Sequence, residues 1–358
     1  MERALPSPGR LTHLDFMRVL AIFCVLFNHT GNVGFFLFPA ASGLKQGIYC
    51  AISVLCTLAV PLFFMISGAL LLGRDESIGT VLKKRFLRFA AILAGASVLY
   101  WLYDAAVHHS PLDPGGFFTR LYSADLSVGL WYLYSYLSLM LMLPLLRRMA
   151  RNMTNPEFLY LAVLSLIFTG LLPMAGYLVF RDSCQLNQHL SRALFTAENV
   201  VFFLMGYYFE HRLPEKYRTG KTVLLGAALS ALAVLLSVGM TLYRGRVMGY
   251  FDEGESQCFH KSLIAIPTCT LYLACKLFFT RVRLSPRLQK LLALLAGTTF
   301  GVFLLERILR EQTVFLYHWL SPRIGPLPAS LAWSLGALAL GSGFVALLKK
   351  IPGLKALL

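Results

Sequence analysis

Ten apolar runs divide the chain, at 14–37, 48–73, 87–107, 127–146, 158–180, 194–210, 221–243, 259–280, 291–315 and 328–348, with short polar connections between them. Most approach the ~20 residues that a helix needs to cross the hydrocarbon of a bilayer. A membrane barrel would show ~10-residue segments of strict alternation, and these runs do not alternate. The pattern predicts an all-α, polytopic membrane protein of about ten transmembrane helices. No internal repeat is visible, and no connection is long enough to fold as a further globular unit. Residues 1–358 therefore read as a single transmembrane domain with no appended soluble domain. The first ten residues are polar. The run behind them is too long for a signal-peptide core and lacks a small-residue cleavage site, so it reads as a retained first span.

Composition sharpens this picture. The chain is 57% hydrophobic and 14% charged, against about 25% charged for a soluble domain. A net charge of +16 raises the question of nucleic acid, but the cations sit in short loops between apolar runs, where orientation signals belong. With the N-terminus in the cytoplasm, the inner loops "GRDESIGTVLKKR", "RRMAR", "HRLPEKYRTGK" and "RVRLSPRLQK", with Lys349, Lys350 and Lys355, hold most of the 33 Lys and Arg side chains. The expected orientation is N-in and C-in, the expected partner is the lipid bilayer, and no nucleic acid is expected. Among the seven cysteines, Cys24, Cys56, Cys269 and Cys275 fall within spans as small apolar residues. Cys184 and Cys258 lie in two outer loops, where an oxidising compartment would let them pair and a reducing one would leave two thiols. No Cys/His spacing suits zinc, so no metal site is expected.

A few polar residues interrupt the spans. In "LDFMRVLAIFCVLFNHT" (residues 14–30), Arg18 and His29 stand 11 positions apart. On a helix they project within about 20° of one another, separated by about 16 Å along the axis. Asp15 is an i, i+3 neighbour of Arg18. Ionisable groups within a span cost at least ~2.5–3.5 kcal/mol at mid-depth and usually face protein or water. Spacing alone leaves equal room for an Arg18 that snorkels to headgroups and a His29 at the outer interface. Ser67-Gly68 lies in the inner half of the second run, a pair suited to close helix packing. Arg85 and Arg88 stand one turn apart beside Lys83 and Lys84. This cluster is either an orientation anchor or a clamp for phosphate, whose oxygens guanidinium binds bidentately. Glu198 and Glu306 share roughly the depth of His29, and a carboxylate beside an imidazole fixes its tautomer and raises its basicity.

Together these motifs resemble the acyltransferase-3 family of integral membrane acyltransferases. Arg18 and His29 look like its R-x10-H signature, "FFMISGALLL" its F-F-x-x-S-G element and "RFLR" its cytoplasmic R-x-x-R. "LWYLYSYLSLMLMLPLL" is similar to its W-x-L span, with the tryptophan at Trp131, and "TTFGVFLLE" to its S-F-G-I-Y-L-x-H stretch. The resemblance runs from about residue 12 to residue 348. Glu306 stands where many members carry a histidine, so a second histidine role does not carry over.

The resemblance implies transfer of an acyl group, most often acetyl, from cytoplasmic acyl-CoA to a hydroxyl of an extracytoplasmic glycan or other surface acceptor at the cell membrane. No bound cofactor is expected, since acyl-CoA is a substrate. His29, as general base or transient acyl carrier, Arg18, Glu306 and Glu198 are the expected catalytic residues. Arg85, Arg88, Lys84 and Ser67 are expected on the donor side, Trp131 and Asn28 on the acceptor side. Buried His, Arg and Glu along a path also describe a proton-coupled secondary transporter, and a glycan flippase is the third reading. Carriers tend to show repeats and matching broken spans, which are not visible here.

Overall fold

The computed structural model describes residues 11–30, 34, 37–181, 187, 189–251 and 259–354. The described residues form helices and connections, with no strand. Helices satisfy every backbone group internally, as a bilayer requires. The first is α1 (Thr12–Asn28), with Asp15 in its first turn, where an acidic group complements the helix dipole. A broken span follows, α2 (Gly43–Cys56) and α3 (Ala59–Leu71). At the break the Thr57 hydroxyl donates to the Val54 carbonyl at 2.7 Å, which satisfies an acceptor the helix leaves open. The short α4 (Ile78–Val81) runs through a π-helical turn, Leu82–Phe86, into α5 (Leu87–Val107). Then come α6 (Pro114–Ser123), α7 (Trp131–Asn152), α8 (Asn155–Ser165) and α9 (Leu172–Phe180). A capping box of Thr154 and Glu157 opens α8. The remainder are α10 (Glu198–Tyr207), which ends in a π turn over Tyr208–Arg212, α11 (Gly220–Met248), α12 (Ala265–Arg281), α13 (Pro286–Ile324) and α14 (Pro326–Leu348).

Among the described residues, six helical stretches are long and apolar enough to cross a membrane: Gly43–Leu71, Ile78–Val107, Asn155–Phe180, Gly220–Met248, Pro286–Ile324 and Pro326–Leu348. The other four apolar runs fall on α1, α7, α10 and α12. Of these, α1 and α12 have 17 residues each and α10 has 10 before its π turn. The chain is a multi-pass membrane protein. Exposed Leu224, Leu225, Leu232 and Leu235 give α11 the apolar outer face that lipid covers.

The first helix is the centre of the bundle, packed against α3, α13, α14, α12 and α2. Most of its residues are buried. Small residues bring α3 against α10: a Cβ on Gly68 would meet the Phe203 carbonyl oxygen, and one on Gly206 would meet that of Met65. The expectation of close packing at Ser67-Gly68 is met on its glycine half. An antiparallel pair, α13 and α14, turns at Gly325 with φ 89°. The expected alternatives for Cys184 and Cys258 lie outside the described residues.

Candidate functional site

Two polar centres sit at the two ends of α1. His29 closes its far end as the C-cap residue, half-buried. Its Nδ1 lies 3.1 Å from Oε1 of Glu306 on α13, a carboxylate that is itself buried. Arg310, one turn further along α13, brings Nε within 3.4 Å of the same oxygen. With Nδ1 turned to the carboxylate, the tautomer protonated there carries its lone pair on Nε2. The helix that supplies Glu306 is fastened at this level: Arg307 binds Asp104 of α5 and donates from Nε to Glu311 at 2.8 Å, and His108 reaches Glu311 at 3.0 Å. Neighbouring α14 is tied to α1 through Thr30 and Ser334.

Toward the other end, Arg18 donates from Nη1 to Asp15 at 3.0 Å, with Asp15 buried. The i, i+3 pairing expected from the sequence is present. Ser67 lies beside the hydroxyls of Tyr132 and Tyr136, one turn apart on α7. Tyr136 is within electrostatic reach of Arg85, Arg18 and Arg88 together. The Tyr132 ring contacts Phe64 at 5.1 Å and Phe303 at 5.3 Å, and Phe303 is one turn before Glu306. A chain of side chains thus joins the basic end of the bundle to the His29 end. Its members are Arg88, Tyr136, Ser67 with Arg18, Tyr132, Phe303 and Glu306.

The family model described as "Acyltransferase domain" matches residues 11–349. The chain belongs to the acyltransferase-3 family. No curated protein and no solved structure matches it. It is a membrane acyltransferase.

Not every expected residue joins this acyltransferase framework as the sequence suggested. Arg85 is not an open phosphate clamp. Its Nε and Nη2 grip both oxygens of Glu76 at 2.7 and 2.6 Å, because the loop between α3 and α4 folds back under the π turn. Arg147 of α7, buried, holds the same carboxylate from Nη2 at 2.8 Å and the Leu71 carbonyl from Nε at 3.0 Å. The Arg85 guanidinium first, and Arg147 after it, hold the Glu76 carboxyl down at about 2. Arg88 and Lys84 are exposed beside this group, and Lys349 from the end of α14 lies within reach of Arg88.

Glu198 is not placed beside His29. It opens α10 and lines a cavity of about 350 Å³ with Trp131, Ser135, Thr196, Asn199 and Phe64. The carboxylate that reaches His29 is Glu306. Trp131 and Glu198 thus share a place of their own. Asn28 is buried, and its side-chain oxygen has no hydrogen-bond partner among the described residues. The backbone of residue 34 packs closely on the Asn28 backbone and that of Phe27.

Sequence reasoning missed Glu76, Arg147, Arg310, Tyr132 and Tyr136. Arg310 carried a signal, since it stands four residues after Glu306 on one helix. Glu76 and Arg147 read only as loop charges that orient the chain, and the tyrosines only as parts of an apolar span.

Proposed function

We propose that this acyltransferase takes an acyl group, acetyl first among them, from cytoplasmic acyl-CoA and places it on a hydroxyl of an extracytoplasmic glycan or other surface acceptor. Its home is the plasma membrane, crossed by about ten helices in one domain with both termini inside. The observation that carries the reading is the His29–Glu306 contact at one end of α1, with the Arg18–Asp15 pair and the arginine-rich face at the other.

The polyanionic donor meets Arg88, Lys84 and Lys83 at the inner face, and its pantetheine arm follows Tyr136, Ser67 and Arg18. The ~16 Å rise from Arg18 to His29 suits that arm, so the thioester reaches the outer half while the nucleotide stays inside. His29 Nε2 removes the acceptor's hydroxyl proton as the oxygen attacks the thioester carbonyl. The carbon–sulfur bond breaks, the CoA thiolate leaves, and the imidazolium returns the proton to it. Glu306 steadies the imidazolium, and Arg18 holds the donor or opposes charge developing on the carbonyl oxygen. Trp131 and Glu198 line the acceptor's approach.

Purified protein in lipid vesicles tests this. Acetyl-CoA inside and a surface-glycan acceptor outside should give free CoA thiol inside and acylated product outside. Acceptor movement across the vesicle without thiol release would overturn the reading in favour of a carrier or flippase.

A further inference from the structure

At the inner end, two arginines that take no part in the donor path described above hold a carboxylate of the chain itself. Glu76 sits on a four-residue irregular stretch, 74–77, between α3 and α4. Two guanidinium groups converge on it from different elements, Arg85 from the π turn and Arg147 from α7. One carboxylate between two guanidinium groups leaves a net positive charge. It also leaves hydrogens over: Nη1 of Arg147 is buried without a hydrogen-bond partner among the described residues. A buried donor left unmade is costly, and native structures rarely tolerate it. A carboxylate is planar and offers two oxygens. A phosphate offers three and carries more charge, and paired arginine forks match it.

We propose that Arg85 and Arg147 form a phosphate-binding site and that Glu76 is the internal anion that occupies it until a phosphate-bearing ligand displaces it. Three features make the exchange feasible. The stretch carrying Glu76 is not helical, so the carboxylate swings out without breaking a span. The Glu76 side chain is 21% exposed, so it leaves directly into water. Exposed Lys83, Lys84 and Arg88 border the site and draw anions toward it. Glu76 stays ionised throughout the working pH range, its carboxyl being held at about 2, so a ligand must win Arg85 and Arg147 by competition. The site is then closed when empty and opens Arg85 toward Tyr136 when filled. This rests on the acyl-CoA reading for its principal occupant. A phospholipid headgroup at the same interface offers the same chemistry.

The test uses the full chain in nanodiscs of neutral phosphatidylcholine, and in others containing phosphatidylglycerol. CoA is titrated first, then dephospho-CoA and inorganic pyrophosphate. Glu76→Gln keeps the shape and removes the competitor, so CoA binding should tighten about tenfold in neutral discs. Arg147→Lys should weaken it about tenfold, because an ammonium lacks the fork. A second measurement needs no variant: in the wild-type protein, CoA should raise amide hydrogen exchange across residues 73–77 as the loop lets go. Tightening confined to retained phosphatidylglycerol, with CoA unaffected, would assign the site to a lipid headgroup. CoA affinity that is unchanged or weaker in Glu76→Gln, with no headgroup effect and no rise in loop exchange, would overturn the site. Tighter pyrophosphate binding in Glu76→Gln, in a protein that never releases thiol from acetyl-CoA, would keep the site and discard the acyl-transfer reading.

Discussion

Glu306 and Glu76 are each shared between two basic groups, at opposite ends of the same bundle, and they are shared differently. Glu306 lies 3.1 Å from an imidazole and 3.4 Å from Arg310 through a single oxygen. Glu76 is gripped through both oxygens at 2.6 to 2.8 Å by two guanidinium groups. The first arrangement includes an imidazole, a group whose two ring nitrogens can accept and donate a proton. The second contains only cations that keep theirs. On the proposed reading, proton handling belongs to the His29 end and anion holding to the Arg85 end. A helix of 17 residues keeps the two chemistries apart, and a substrate that reacts at one end while its charge stays at the other has to be long and thin.

The sharpest way to break this division is at His29. His29→Ala should lower acyl transfer by about 10²–10⁴ while CoA affinity in nanodiscs stays within experimental error. His29→Gln should do no better, since an amide accepts a hydrogen bond without serving as a useful base. A fully active His29→Ala protein would remove proton transfer from that end. Glu306→Gln comes next, with a loss of roughly a hundredfold in kcat and little change in donor KM, because it disturbs the orientation and charge of the base and not the grip on the donor. Glu198→Gln, facing the Trp131 cavity, should cost clearly less in kcat. If it costs more than Glu306→Gln, the partner of the base has been misassigned.

Arg18 lies between the two ends and shows whether they communicate. Arg18→Ala should lower kcat/KM for acetyl-CoA by about tenfold or more, and Arg18→Lys should recover only part of it, as an ammonium cannot replace the planar fork that also meets Asp15. Steady-state kinetics at varied donor concentration read this directly. Equal activity of the Ala variant and the wild type would mean that the middle of α1 carries no traffic.

The two ends were also unequally legible in the sequence. Arg18 and His29 are conspicuous because an apolar helix tolerates so few ionisable groups, and their spacing gave both the shared face and the separation. Glu306 was conspicuous for the same reason, on a span and at the right depth. Arg85 was marked only as one member of a basic cluster, and Glu76 and Arg147 lie in stretches that read as loops, where charges are expected merely to orient the chain, so nothing in their type marked those two. Their meeting depends on a loop folding back beneath a π turn, and neither helical nor strand periodicity reports such a contact. Tyr132 and Tyr136 were hidden by the opposite effect, since a phenol in an apolar run reads as bulk until the hydroxyl's neighbour, Ser67, is known. The family resemblance recovered the motif residues and their order along the chain. It did not indicate that Arg85 would be occupied from within.

The smallest effect expected concerns stability at the Arg85 end. The Glu76 carboxyl is lowered from 4.5 to about 2 by Arg85 and then Arg147. A group depressed on folding contributes stability that is fully present above its unfolded value and is lost as pH falls through its folded one. Between about pH 4.5 and 2 the wild type should therefore lose melting temperature steadily. Glu76→Gln should lack that component, so the two curves should converge as the pH drops. Exposure of the side chain to solvent keeps the difference small, and added salt should shrink it only partly because Arg147 is buried. Nothing comparable is expected in this window for a variant at the buried Asn28, which carries no charge. Scanning calorimetry of both proteins in the same detergent across this range checks it. Parallel curves for wild type and Glu76→Gln would mean that the two arginines do not hold this carboxylate in the folded protein, and the contrast between the two ends of α1 would lose its inner half.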